Sequence, residues 1–200
     1  MLAGVDGCRG GWVAALEEAR GSPLLRFCSL AELRAEVAVI DIPIGLPSAG
    51  PRECDLAARR LLGRPRSSSV FPAPTRKLLS AEAPRCSRQL LNIFDKIREA
   101  DSVFGPARQG GWMEGHPEVS FALMAGGRGL VAPKRTPEGR AERLALLARC
   151  FPDLPGELDC DAVDAYALLW TARRVRAGTE ERLPGWLELD ERGLRMEIVA

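Results

Sequence analysis

The sequence predicts an α/β fold: a mixed five-stranded sheet flanked by helices and closed by a C-terminal β-hairpin. Three observations predict it. Two apolar runs, at 2–6 and 11–18, are joined by a short glycine-rich link, as an antiparallel hairpin requires. The run VAVIDIP at 37–43 is β-branched and almost continuously apolar, like a strand covered on both faces. Beyond it, helical periodicities alternate with shorter apolar runs, the order that builds parallel strands with helical crossovers.

The elements follow from local signals. Gly7-Cys8-Arg9-Gly10 reverses the chain between the first two strands. PLLRFC (23–28) supplies a third strand and SLAELRAE (29–36) a short helix. Pro43 and Pro47 end the fourth strand. Residues 51–63 form a helix with Pro51 at its start and Gly63 at its end. The Pro/Ser/Arg-rich stretch 64–77 is a loop of a length usually tied to function. A helix covers about 86–104, a strand ends near Glu114, and Pro117 opens another helix. Helices at 137–150 and 160–177 follow, and 186–199 alternates apolar and polar residues around DERG, as a closing hairpin does. With 46% hydrophobic residues in a chain of 200, one core can form. Residues 1–200 therefore read as a single domain with a helical, basic insertion at about 51–104.

Several chemistries are excluded. A net charge of +1 argues against a polyelectrolyte binder as a whole. The six cysteines contain no CxxC pair, which speaks against a zinc module. No apolar run reaches membrane-spanning length and the chain opens directly on a strand-like run, so a reduced, cytoplasmic protein without a membrane partner is expected. A single histidine, His116, rules out HExxH and poly-histidine sites, and neither a GxSxG elbow nor a GxxxxGK loop is present. Acidic residues are what remain.

Asp6 ends the first strand and Asp41 the fourth, and an unpartnered carboxylate on an apolar strand is costly to bury. Asp161 and Asp164 are three apart on the helix 160–177, hence on one face, where like charges repel. Taken alone this pair also fits a helix start, with Asp159 as cap and acids favoured by the macrodipole. Glu114 is either a further acid of the same site or the structural partner of an arginine. His116, before Pro117, reads as a turn former rather than a proton shuttle, and the glycines at 7, 10 and 11 read as hairpin residues rather than a phosphate cradle. Between Arg52 and Arg98 stand eleven basic residues against four acidic ones, an asymmetry that suits a phosphate-bearing partner or, alternatively, a solvated helix face. Lys134 and Arg135 either contact phosphate or flank a helix start.

The stretches GVDGCRGGWV, IDIPIGLP, RECDLAARRLLG, SVFPAPTR, EGHPEVSF and DAVDAYALLWTARR together resemble a bacterial family of predicted ribonuclease H-like nucleases, domain of unknown function 429. This family is similar to the Holliday-junction resolvase branch of the ribonuclease H-like superfamily. The resemblance implies that the first and fourth strands lie side by side and parallel, with a carboxylate site at their C-terminal ends. Such a cluster suits Mg²⁺ or Mn²⁺. Asp6 would bridge two ions, Asp41 would hold one, Asp161 and Asp164 the other, and Glu114 would be a fifth member. Asp41 departs from the resolvase branch, which carries glutamate there. The expected function is a metal-dependent nuclease acting on DNA or RNA, with Arg52, Arg59, Arg64, Arg66, Arg76 and Lys134 along the nucleic acid. The alternatives are a nucleotide-binding phosphotransferase or hydrolase of the same fold, or a catalytically silent binding protein. The closing hairpin offers an edge that could pair in a homodimer.

Overall fold

Strand β1 (Leu2–Cys8) lies at the centre of the sheet, and its first five residues are fully buried. The computed structural model describes the whole chain except Arg20, residues 82–85 and the side chain of Gln89. β1 pairs antiparallel with β2 (Gly11–Glu17), and β2 with β3 (Leu24–Phe27). On its other side β1 pairs in parallel with β4 (Val37–Ile40), and β4 in parallel with β5 (Trp112–Glu114). The order β3-β2-β1-β4-β5 is the mixed five-stranded sheet that the sequence predicts, with the first and fourth strands adjacent and parallel. It agrees with a ribonuclease H-like arrangement.

Alternation along the strands divides the core into two layers. Ala3, Val5, Ala38, Ile40 and Trp112 face one side, against Phe94, Ile97 and Ala100 of helix α3 (Arg88–Val103). Leu2, Val39 and Met113 face the other side. They pack against α5 (Pro117–Met124), α6 (Pro137–Ala148) and α7 (Cys160–Ala177). Between β4 and β5 the chain also forms α1 (Glu53–Leu62), a 3₁₀ turn at Arg66–Ser69 and the one-turn helices α2 (Arg76–Leu79) and α4 (Pro106–Gln109).

Two local expectations need correction. Residues 29–36 make turns, not a helix. A segment this short gains little from helix propagation, and the Leu30 N–H is instead taken by the Glu99 carboxylate at 2.6 Å while Leu30 and Leu33 enter the core. The C-terminal hairpin does reverse at 190–193, where the Asp190 carboxylate accepts from the N–H groups of Arg192 and Leu194. It pairs through a bridge between Leu189 and Arg195, and its continuous strands lie further from the turn, as β6 (Arg182–Leu183) and β7 (Ile198–Val199). Val199 also bridges to Gly115, so the hairpin is fastened to the end of β5.

The segment after β4 is irregular, and a buried ion cluster holds it. The Arg52 guanidinium, 1% exposed, forms two hydrogen bonds with Glu114 (2.6 and 2.7 Å) and two with Asp55 (2.6 and 3.2 Å), and also donates to the Gly45 carbonyl. Glu114 accepts from the Ile44 N–H at 2.7 Å, and Asp55 from the Ala73 N–H at 3.0 Å. Burial opposes these charges, but Glu114 and Asp55 hold Arg52 firmly protonated. Replacing Arg52 with Met removes one partner and leaves two buried carboxylates. The variant should lose about 3–5 kcal/mol, read as a lower urea midpoint, and a loss under 1 kcal/mol would show that water reaches the cluster.

Candidate active site

The parallel register of β1 and β4 places Asp6 beside Asp41. Val5 is opposite Ile40, and the Asp41 N–H donates to the Val5 carbonyl at 3.0 Å, so the next residue on each strand is an aspartate. Both belong to the side-chain set of Leu2, Gly4 and Val39, which faces α7. On that face a Cβ at Gly4 would stand 2.0 Å from the Leu169 nitrogen and 2.1 Å from the Ala165 carbonyl. Glycine thus lets α7 lie directly on β1, which sets Asp164, the residue before Ala165, above Asp6.

The helix start itself is served by Asp159, whose side chain accepts from the Ala162 N–H at 2.8 Å and pairs with Arg26 at 2.5 Å. Asp161 and Asp164 are therefore not needed as caps. Asp164 is 1% exposed and pairs with Lys134 Nζ at 2.5 Å through Oδ2, while its Oδ1 is buried with no hydrogen-bond partner. Asp6 accepts from the Gly7 N–H at 2.7 Å. Asp161 stands half-buried at the rim.

Asp6 senses the other three carboxylates, and Asp164 senses Asp41. Burial, then Asp41 and Asp164, raise the Asp6 carboxyl well above its ordinary value, with Lys134 opposing. Burial also raises Asp164, to about 6, with Asp41 adding to the rise and Lys134 opposing it. Asp41 is raised by burial against His116 and Lys134, and Asp161 by burial and Asp159. Among the described residues Lys134 is the one cation bonded to the buried three, and it does not balance them.

A hard divalent ion fits these residues in donor type and charge, and the buried Asp164 Oδ1, without a hydrogen-bond partner among the described residues, is an oxygen such an ion could use. A ready-made cage is not there. Among the described residues, no three His, Cys, Asp or Glu side chains are arranged to hold one ion. Mg²⁺ does not require such a cage, since it commonly takes one or two carboxylates and completes its shell with water and substrate oxygens.

Glu114 does not join the cluster. It pairs in register with Ile40, one residue before Asp41, so the pleat sends it to the opposite face of the sheet, into the Arg52 pair. Burial pushes it up to about 7, with Arg52 opposing. Arg52 is corrected with it, because a buried guanidinium engaged on every side cannot meet a phosphate. Arg76 is largely engaged too, by Asp101 at 3.0 Å and Asp190 at 2.6 Å. Arg64 is exposed and Arg59 and Arg66 half-exposed, whereas Arg85 and Glu82, counted in the basic stretch, lie outside the described residues.

His116 caps α5: its Nδ1 accepts from the Glu118 N–H at 3.2 Å, and its Nε2 faces the Ser69 carbonyl at 3.3 Å. Both nitrogens are engaged, which suits the structural reading, and the ring ties the Arg66–Ser69 turn to the neighbourhood of Asp41. Two nearby cations carry no local sequence signal. Lys96 of α3 reaches the Gly11 carbonyl and lies 4.6 Å from the Trp12 ring centroid, and Arg26 of β3 pairs with Asp159. Both also bear on Asp161. Of the hairpin glycines, Gly10 is required by the turn, with φ +84°, and Gly11 by β3, since a Cβ there would stand 2.2 Å from the Phe27 carbonyl oxygen.

Fold and site together define an α/β protein with a buried carboxylate site at the C-terminal ends of its parallel strands. The chain belongs to the family described as Protein of unknown function (DUF429), whose model matches residues 4–188. No curated protein and no solved structure matches it. The six cysteines are free, and among the described residues no helix is long and apolar enough to cross a membrane.

An acid whose pKa is higher folded than unfolded binds more protons when folded. Its stabilising contribution is complete below the unfolded value, here 3.8, and is lost as pH rises through the folded one. Asp6→Asn removes that loss. In chelator, the variant should gain on the parent in melting temperature as pH is raised from 4 to 8, reaching equality or better near neutrality. Parallel curves for the two proteins would mean that Asp6 stores no repulsion.

Proposed function

We propose that the chain is a divalent-metal-dependent nuclease that hydrolyses phosphodiester bonds of nucleic acid. The observation that carries this reading is the convergence of Asp6, Asp41 and Asp164 from two parallel strands and one helix, with a buried oxygen unpartnered and a single lysine bonded to the three among the described residues. Such a site is expensive unless a cation completes it.

Asp6, Asp41 and Asp164 supply the oxygens, of which the ion would take one or two directly and complete its shell with water and substrate oxygens, with Asp161 at the rim. When bound, Mg²⁺ or Mn²⁺ would lower the pKa of a bound water and neutralise charge on a phosphoryl oxygen. The protein's own contribution is placement. The Gly7 N–H fixes one Asp6 oxygen, and the register fixes Asp41 beside it. Lys134 holds Asp164, and the Arg52 cluster on the far face keeps the chain after Asp41 from sagging into the site. Exposed Arg64 and half-exposed Arg66 stand just before and at the start of the turn that His116 contacts through the Ser69 carbonyl, a position suited to the phosphate backbone of a strand entering the site. Nothing in the hairpin geometry favours a nucleotide phosphotransferase.

Cleavage of labelled single-stranded, duplex and branched oligonucleotides tests the reaction. Mg²⁺ or Mn²⁺ should support turnover and Ca²⁺ should not, because its looser coordination misplaces the water. Asp164→Asn should lower kcat by at least about a hundredfold, the scale of losing a principal transition-state group. Full activity in chelator would sink the proposal.

The partner is tested separately. Arg64→Ala with Arg66→Ala should weaken oligonucleotide binding and reduce the slope of log K against log salt by about one to two. An unchanged slope in anisotropy titrations would make these residues ordinary solvated surface.

A further inference from the structure

Lys134 projects from the segment between α5 and α6, and that segment is built to hold it. Arg143, 1% exposed, pairs with Glu118 through bonds of 2.7 Å and donates to the carbonyls of Ala132 (3.2 Å) and Gly139 (2.8 Å), on either side of the lysine. The Thr136 N–H donates to the Pro133 carbonyl at 3.0 Å, and the Thr136 hydroxyl accepts from the Gly139 N–H. Gly139 is pressed so closely on this segment that a Cβ there would stand 2.1 Å from the Pro133 oxygen. The lysine backbone is thus fixed, and its ammonium ends 2.5 Å from Asp164 Oδ2, within electrostatic reach of Asp6 and Asp41.

The Lys134 side chain is half-exposed, but its ammonium is bonded to the buried Asp164 carboxylate and so occupies the place a second divalent ion would take on that residue. Charge counting favours the same conclusion. Three buried carboxylates, one ammonium and one divalent ion leave no net charge, whereas a second ion leaves an excess of two positive charges in a poorly solvated site. Asp161, half-buried at the rim, offsets only one of them.

We propose that Lys134 is a resident cation of this site, filling one of its two cation positions, so that the protein takes a single divalent ion on the Asp6–Asp41 side. The inference rests on reading Asp6, Asp41 and Asp164 as a divalent-ion site. It makes Lys134 a positioning residue: it fixes the Asp164 carboxylate and sets the number of metal ions.

Calorimetric titration with Mn²⁺ alone, on the full chain and without nucleic acid, tests it. The parent should bind one ion. Lys134→Met keeps most of the length of the side chain and deletes the charge. It should bind either a second ion or the first about tenfold more tightly or better, since a repelling unit charge has gone. Lys134→Arg should keep the parent's single ion. Two ions on the parent, or identical stoichiometry and affinity for parent and Lys134→Met, would overturn the proposal and leave the nuclease reading standing. No ion on either protein would remove both. Should the Met variant fail to fold, as its melting curve would show, two ions on the parent would still overturn the proposal, and one ion on both the parent and Lys134→Arg would support it.

Discussion

Everything at the site depends on the register between β1 and β4. With Val5 opposite Ile40, the two strands end side by side and each continues into an aspartate. A strand alternates its side chains strictly, so a slip of one residue would turn either aspartate to the other face of the sheet. The same rule disposes of Glu114. It stands opposite Ile40 and not Asp41, and that one-residue difference places it in a structural ion pair on the far side.

The sheet therefore separates two acidic environments with opposite electrostatics. On one face Arg52 is enclosed by Glu114 and Asp55, with backbone N–H and carbonyl groups taking up the remaining bonding capacity. This cluster is satisfied and stiff, and it anchors the chain that leaves β4. On the other face Asp6, Asp41 and Asp164 share one lysine and leave an oxygen unpartnered. The first arrangement is what a scaffold needs. The second is unfavourable on its own, and that cost is what the proposed cation would offset.

Glycine and aspartate at the start of α7 illustrate how local and long-range requirements are combined. Asp159 meets the helix's own demand for a cap, and Gly4 removes the side chain that would hold the helix away from β1. Only with both in place can Asp164 be sunk to 1% exposure above the strand ends. His116 does a similar service for α5, closing the helix start while linking the 3₁₀ turn to the site.

The sequence by itself determined the strands and most helices, because alternation, helical periodicity, proline starts and glycine ends act over a few residues. It also marked Asp6, Asp41, Asp161 and Asp164, since an acid at the end of an apolar strand, or two on one helix face, is visible in one dimension. It overcalled the helix at 29–36, where burial of Leu30 and Leu33 and a bond to Glu99 outweighed a weak local preference. The tertiary structure alone decided the partners of the charges. Arg52 meets Glu114 across sixty-two positions, and Lys134 meets Asp164 across thirty. Neither distance leaves a trace in spacing or composition. Which carboxylate is paired, and which is left with an unpartnered oxygen, depends on register and on which face of the sheet each side chain leaves, and those are fixed only when the strands pair.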